Sequence, residues 1–239
     1  FITFAQGNAG LKFTPAADFN GSGSFTVQAS TSNGDAGLGG GTANAIITVN
    51  AVNDAPTATN LSAAESYTED TPLNLTDIVI SDIDSANVTA TLTLSNVAAG
   101  SLNTATSGAV TSTYNAGTGV WTANGALADV NALLAGLVFT PTTDFNGSFS
   151  LATQVSDGVA APLTGSKAMT GTAVNDAPVL SNGGSVGAGE DSGGAPFFGV
   201  ATVADADSAD FNGGVLSAII TAGGEGTDRL SLLAIGGVS

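Results

Sequence analysis

Two carboxylates sit two residues apart in Asp82-Ile83-Asp84, and the spacing returns in Asp205-Ala206-Asp207. In an extended chain, side chains at i and i+2 project to the same side. Such a pair repels unless something positive lies between its members. The chain has 20 acidic residues against 3 basic ones (Lys12, Lys167 and Arg229) and a net charge of −17. Its own cations therefore cannot serve every pair. A hard divalent cation can. Calcium takes roughly six to eight oxygens from carboxylates, Asn side chains, carbonyls and water. Such oxygens cluster in sequence at Asn53 and Asp54, then Glu69 and Asp70, then Asp82 and Asp84. They recur in the same order at Asn175 and Asp176, then Glu190, then Asp205 and Asp207. One Asn-Asp-Ala-Pro alone is a turn, and one Asp-x-Asp alone is a solvated loop. Their ordered recurrence is what points to a cation.

Those acids are set in an internal repeat, the pattern that governs every later step. Val52-Asn53-Asp54-Ala55-Pro56 returns as Val174-Asn175-Asp176-Ala177-Pro178, 122 positions on. Phe13-Thr14-Pro15, followed by Asp18-Phe19-Asn20-Gly21, returns as Phe139-Thr140-Pro141 with Asp144-Phe145-Asn146-Gly147. Glu69-Asp70-Thr71 matches Glu190-Asp191-Ser192, and Asn33-Gly34 stands where Asp157-Gly158 stands. The offset drifts by a few residues while the order is kept. Residues 1–53 then read as the back of one domain, 54–174 as a complete domain, and 175–239 as the front of a third. Phe1 begins mid-pattern without an initiator Met. Two readings of the ends follow: a section of a longer array, or a unit completed head-to-tail by its neighbours.

The elements that must position these acids read as strands. Thr89–Leu94 and Phe149–Val155 alternate polar and apolar, the period of a half-buried strand. Tyr114–Trp121 places Asn115-Ala116-Gly117-Thr118-Gly119 between strand-like flanks, a hairpin signal. Short strands with frequent Gly and Thr indicate an all-β sandwich. One stretch departs: Val130, Leu133, Leu134 and Leu137 have helical spacing, so a short helix is expected over 129–135. Asp129 would cap it and Gly136 would end it. Asp18, Asp144 and Asp210 in their Asp-Phe-Asn-Gly sequences read as tight turns with glycine at a position needing positive φ. Pro56 stiffens the chain just after the first junction.

Taken together, these motifs resemble the bacterial cadherin-like tandem repeats of very large surface proteins and adhesins. That family implies immunoglobulin-like Greek-key sandwiches strung in extended arrays, calcium at the junctions, and export, often by type I secretion. Animal cadherins carry Asp-x-Asn-Asp-Asn-x-Pro in the linker. Asn53, Asp54 and Pro56 match it, as do Asn175, Asp176 and Pro178, while Ala51, Ala55, Ala173 and Ala177 replace the other ligands. Asp82 and Asp84, and again Asp205 and Asp207, look like the family's Asp-x-Asp. Glu69 and Glu190 look like its strand-end glutamate, and Asp157 like its late Asp-Gly acid. The resemblance implies one or two ions per junction, neighbouring repeats or head-to-tail copies as partners, and a fibre as one form of assembly.

Other function classes are disfavoured. The negative charge opposes nucleic acid and anionic membrane as partners. With 0 His and 0 Cys the usual catalytic triads and dyads cannot form. A carboxylate pair could act as a glycosidase, but a catalytic pair should be singular and these recur. A carbohydrate-binding sandwich is the rival reading. Trp121, Tyr114 and Tyr67 are its aromatic candidates, and a buried Trp121 would count against it. No run of residues is apolar enough to span a membrane.

Overall fold

The computed structural model describes residues 3–181, 187, 189, 202–208, 217–220 and 224. Glu190, Asp210 and the Arg229 side chain lie outside the described residues. The chain opens with a single helical turn, α1 (Phe4–Asn8), closed by a Thr3–Gln6 capping box. A two-stranded ribbon follows, β1 (Gly21–Ser30) and β2 (Leu38–Val49). Next come β3 (Thr57–Thr59), β4 (Glu65–Thr68), β5 (Leu73–Asn74), β6 (Val79–Ser81) and β7 (Asn87–Leu94). Short strands β8 (Gly100–Leu102), β9 (Thr106–Ser107), β10 (Val110–Thr111) and β11 (Thr113–Asn115) precede β12 (Val120–Ala126) and helix α2 (Leu127–Ala135). The series closes with β13 (Val138–Pro141), β14 (Phe149–Ser156), β15 (Leu163–Thr172), β16 (Val179–Ser181) and β17 (Thr202–Ala204).

The described residues form an all-β sandwich with two short helices, α1 and α2. One sheet has the strand order β11-β12-β7-β14-β15-β4, antiparallel except for the parallel β15–β4 edge. The facing layer is made of β5-β13-β8 and the β3–β6 pair. Alternation decides which face is inward. In β7, Val88, Ala90, Leu92 and Leu94 are buried while the residues between them are not. In β14, Leu151, Thr153 and Val155 point in. The Thr153 hydroxyl is satisfied by donating to Leu61 O at 2.9 Å. The expected Tyr114–Trp121 hairpin is β11–β12, with those two residues directly opposed.

Between the layers lie Trp121, Phe139, Ile80, Leu92, Leu151 and Met169, each no more than 1% exposed. The Trp121 indole donates to Asn103 O, so its polar edge is not stranded. Lys167 is fully buried and donates to Glu65 Oε1 at 2.8 Å and to Thr76 O at 3.1 Å. This cation is thus held inside the sandwich, away from the acids at its ends.

Helix α2 begins earlier than its sequence suggests. Ala126 is its N-cap and provides no side-chain bond, while Asp129 lies in the first turn. There the carboxylate accepts from Ser107 Oγ at 3.1 Å and favours the positive helix terminus. Val130, Leu133 and Leu134 are buried as the spacing required, and Gly136 is the C-cap.

The β1–β2 ribbon differs from the sandwich. Phe25, Val27, Leu38 and Ile46 are all exposed. Among the described residues, the hydrophobic core cluster runs from Leu61 to Met169.

Candidate metal seams

The acids gather at two ends of the sandwich, each spanned by one copy of the Asn-Asp-Ala-Pro linker. At the first seam, Asn53 Nδ2 donates to Asp54 O at 2.9 Å and to Asp157 Oδ2 at 2.7 Å. Asp54 N donates to Asp84 Oδ2 at 3.1 Å. The Asp82-Ile83-Asp84 loop is an Asx turn, with Asp82 Oδ1 accepting from the backbone N–H of Asp84 at 3.1 Å and of Ser85 at 2.7 Å. That turn faces Asp82 and Asp84 toward the linker. Asp157 Oδ1 accepts from Val159 N and Ala160 N, each at 3.0 Å.

The second seam repeats this bonding. Asn175 Nδ2 donates to Asp176 O at 2.9 Å. Asp176 N donates to Asp207 Oδ2, and Asp205 Oδ1 accepts from Asp207 N and Ser208 N at 3.0 and 2.8 Å. The second seam also shows what lies on the near side of the linker. Glu69, 1% exposed, directly follows β4 and joins three segments. Its carboxylate accepts from Val174 N in the linker and from Asn146 Nδ2 at 2.8 Å, while its own N–H donates to Thr172 O. Beside it, Asp70 Oδ1 accepts from Asp144 N at 3.2 Å.

Single carboxylate oxygens of Asp70, Asp144 and Asp176 lie within 4.8 Å of one another, and so do those of Glu69, Asp176 and Asp207. No cation of the chain neutralises either group among the described residues. The one described ion pair is Lys167–Glu65. Burial raises the pKa of Asp176 above its ordinary value, and the charges of Asp144, Asp207, Asp70 and Glu69 push the same way. Asp157 shifts in the opposite direction. The Asn53 amide holds it below the ordinary carboxylate range, assisted by the Val159 and Ala160 amides.

Two oxygens complete the fit to a cation. Asp82 Oδ2 and Asp176 Oδ2, one at each seam, are buried and accept no hydrogen bond. A buried carboxylate oxygen without a donor is costly. The surrounding donors are all oxygen, the set that suits a hard divalent cation.

The sequence grouped Glu69 with Asn53, Asp54, Asp82 and Asp84. The structure places it at the other end of the sandwich, with the second linker. Strand β4 carries it there, because β4 runs parallel to β15 and ends beside Thr172. Asp205 and Asp207 join Asn175 and Asp176, and Asp157 joins Asn53.

The Asp-Phe-Asn-Gly residues were read as turns built on glycine. They are turns, and Gly21 has the expected positive φ of 134°, but Gly147 does not; positive φ also belongs to the aspartates, 60° at Asp18 and 59° at Asp144, with 58° at Asp70. Aspartate is one of the few L residues that tolerates this region. Asp144 thereby enters the second seam, and Asp18 lines an open groove at the first seam with Asp54, Ser81 and Asp82. The missed signal was their recurrence upstream of each linker copy. Close packing holds the Asp144 turn in place. A Cβ on Gly171 would lie 2.4 Å from Asn146 O, and the Tyr67 hydroxyl donates to Gly147 O.

The aromatic candidates for a sugar site are not presented at the surface. Trp121 is 0% and Tyr67 2% exposed, and the half-buried Tyr114 donates to Gly100 O. No helix among the described residues is long and apolar enough to cross a membrane.

No family model and no curated protein matches the chain. Among solved structures, it is similar to the extracellular cadherin domains 3–6 of protocadherin gamma B2. The identity is 16% over 59% of this chain and 31% of that one, with a TM-score of 0.29. It is also similar to the N-terminal Ig1-2 module of the Drosophila receptor protein tyrosine phosphatase DLAR. There the identity is 9% over 54% of this chain and 56% of that one, with a TM-score of 0.20. The chain thus spans about a third of the first structure and just over half of the second.

Proposed function

We propose that the protein is a structural repeat module stiffened by calcium, part of a large extracellular bacterial adhesin, surface fibre or filament, and not an enzyme. The observation that carries this reading is the pair of buried, donor-free oxygens, Asp82 Oδ2 and Asp176 Oδ2, one at each linker, with Asp176 also set among clustered carboxylates. Asn53, Asp54, Asp82, Asp84 and Asp157 would hold a cation at the first seam, with Asp18 bordering it. Glu69, Asp70, Asp144, Asn175, Asp176, Asp205 and Asp207 would hold one at the second. Glu190 is the counterpart of Glu69 one repeat further on. Bound calcium would supply only positive charge and coordination sites for those oxygens. The chain's residues converge from both sides of each linker, so a linker that flexes when its acids repel becomes fixed when they share a cation. Neighbouring repeats are the partners in this scheme.

Calcium binding to the ordered seam stabilises it by mass action, about 2.7 kcal/mol at a free concentration one hundred times Kd. The test is differential scanning calorimetry with calcium and with excess chelator, alongside calcium titration calorimetry. A melting temperature that falls on chelation, with binding lost in Asp82→Asn and Asp176→Asn, supports the proposal. Identical melting in both solutions overturns it.

A further inference from the structure

The two linkers are also the points at which a pull on the chain would reach the sandwich. The chain enters through 53–56 and leaves through 174–178. Strand β15 starts on the side of the first seam, where Asp157 of the preceding loop binds Asn53, and ends at Thr172 beside the second linker. Strand β4 runs the same way, with Glu65 opposite Met169 and Thr68 opposite Thr172. A pull on the first linker acts through β3, which Val79–Ser81 of β6 holds, and then drags β4 back toward the first seam. A pull on the second linker drags β15 out at the other end. The two strands must then slide past each other along their axes. In a parallel pair the ladder bonds are evenly spaced, so sliding loads them together. Strands opened from a shared end would lose the same bonds one at a time.

Side chains reinforce this pair at both ends of β4. Glu69 donates its N–H to Thr172 O at 3.1 Å, and its carboxylate accepts from Val174 N, the start of the linker run. By register Glu69 is level with Ala173, so Val174 lies ahead of it in the direction β15 would move. Any sliding therefore pulls on that bond at once. At the start of β4, Glu65 accepts from Lys167 of β15 at 2.8 Å. Thr76 ties this group to the facing layer, its N–H donating to Glu65 Oε1 at 2.9 Å and its carbonyl accepting from Lys167 at 3.1 Å. With 0 Cys in the chain, no disulfide shares the load.

We propose that the sandwich bears tension between its two linkers, with the parallel β4–β15 pair as the load-bearing element and Glu69 as the latch that ties the outgoing linker to it. The inference rests on the tandem-repeat reading, in which both linkers lead to further repeats. It does not rest on the cation, so the force is measured in excess chelator. Melting that ignores calcium would remove the cation and leave this comparison standing.

The experiment is single-molecule force spectroscopy of the full chain, whose lack of cysteine makes introduced ones unique handles. Ala51→Cys with Ala177→Cys pulls through both linkers. Thr71→Cys with Ala177→Cys pulls β4 and β15 apart from their shared end. All three positions are exposed, so neither pair of handles disturbs the core. The first geometry should require clearly the higher unfolding force. Glu69→Ala should lower the force in that geometry. Leu133→Ala, buried in α2 and off the load path, should lower the melting temperature but leave that force unchanged, because the helix is still packed when the strands slip. Equal forces in the two geometries overturn the proposal. So does a force that survives Glu69→Ala, or one that Leu133→Ala lowers as much.

Discussion

The two seams share a linker, an Asx turn and an Asp-x-Asp loop, yet their electrostatics are opposed. At the first, Asp157 is held ionised by the Asn53 amide, and its pKa falls. At the second, Asp176 stands among Asp144, Asp207, Asp70 and Glu69, and its pKa rises. The difference comes from which flank of the linker is on view. The first seam displays mainly the acids after its linker, with Asp18 at its border, and the second displays Asp70, Asp144 and Glu69 before its linker as well as Asp205 and Asp207. Superimposed by repeat, they describe one kind of junction. Its amide-bonded carboxylates fix the linker, and its crowded carboxylates are the ones we propose to share a cation. Hydrogen bonding lowers a carboxyl pKa, whereas desolvation and like charge raise it.

If that division is right, the two kinds of residue fail differently. The largest effect is expected from Glu69→Ala, which strands the Val174 N–H and the Asn146 amide at once. Loss of a buried acceptor costs about 1–3 kcal/mol. Amide exchange should speed up through 172–176 and stay unchanged at Asp54 and Asp84. Equal acceleration at both seams would show that they are not separate. Gly171→Val should follow closely. Its Cβ meets Asn146 O, and overpacking of this sort costs about 1–3 kcal/mol. Moving the 144–147 turn should weaken calcium binding at the second seam alone, read by titration calorimetry against Asp82→Asn, which removes a ligand from the first.

How far the sequence reached depends on what each feature needed. Strand faces were legible because alternation is local: Leu92 and Leu94, or Leu151 and Val155, announce their own burial. The linker acids were legible because the repeat wrote them twice. Glu69 was assigned to the wrong end because sequence proximity to Asp54 says nothing of direction. The chain from β3 through β4, which runs parallel to the end of β15, delivers it beside Thr172 and the second linker. Asp18 and Asp144 were hidden for another reason. An Asp-Phe-Asn-Gly turn is satisfied by local chemistry, and only the fold reveals that the turn abuts a linker. Lys167 illustrates a third limit, since nothing local marks a lysine that will be buried against Glu65.

A smaller effect should isolate the first seam. In Asn53→Ala, Asp157 loses its principal stabilising donor, so its titration should return toward the ordinary aspartate value while Asp176 stays where it was. Carboxyl-resolved NMR titration in chelator reads both. A fall in the Asp157 pKa would remove the amide from its proposed role.

The finest distinction is the response to pH without calcium. Asp157 has a depressed pKa in the folded chain, so its contribution is present above the unfolded value and is lost as pH falls through the folded one. Asp176 has a raised pKa, so its contribution is present below the unfolded value and is lost as pH rises through the folded one. Acidification across the carboxylate range should therefore loosen the first seam and steady the second. Segment-resolved exchange, corrected for the intrinsic rate at each pH, should show protection of Asp54 and Asp84 falling while that of Val174 and Asp176 rises. Saturating calcium should abolish the second trend, because the cation replaces the proton as the group that relieves Asp176. Parallel responses at the two seams would mean that crowding, not the balance of amides against carboxylates, governs both.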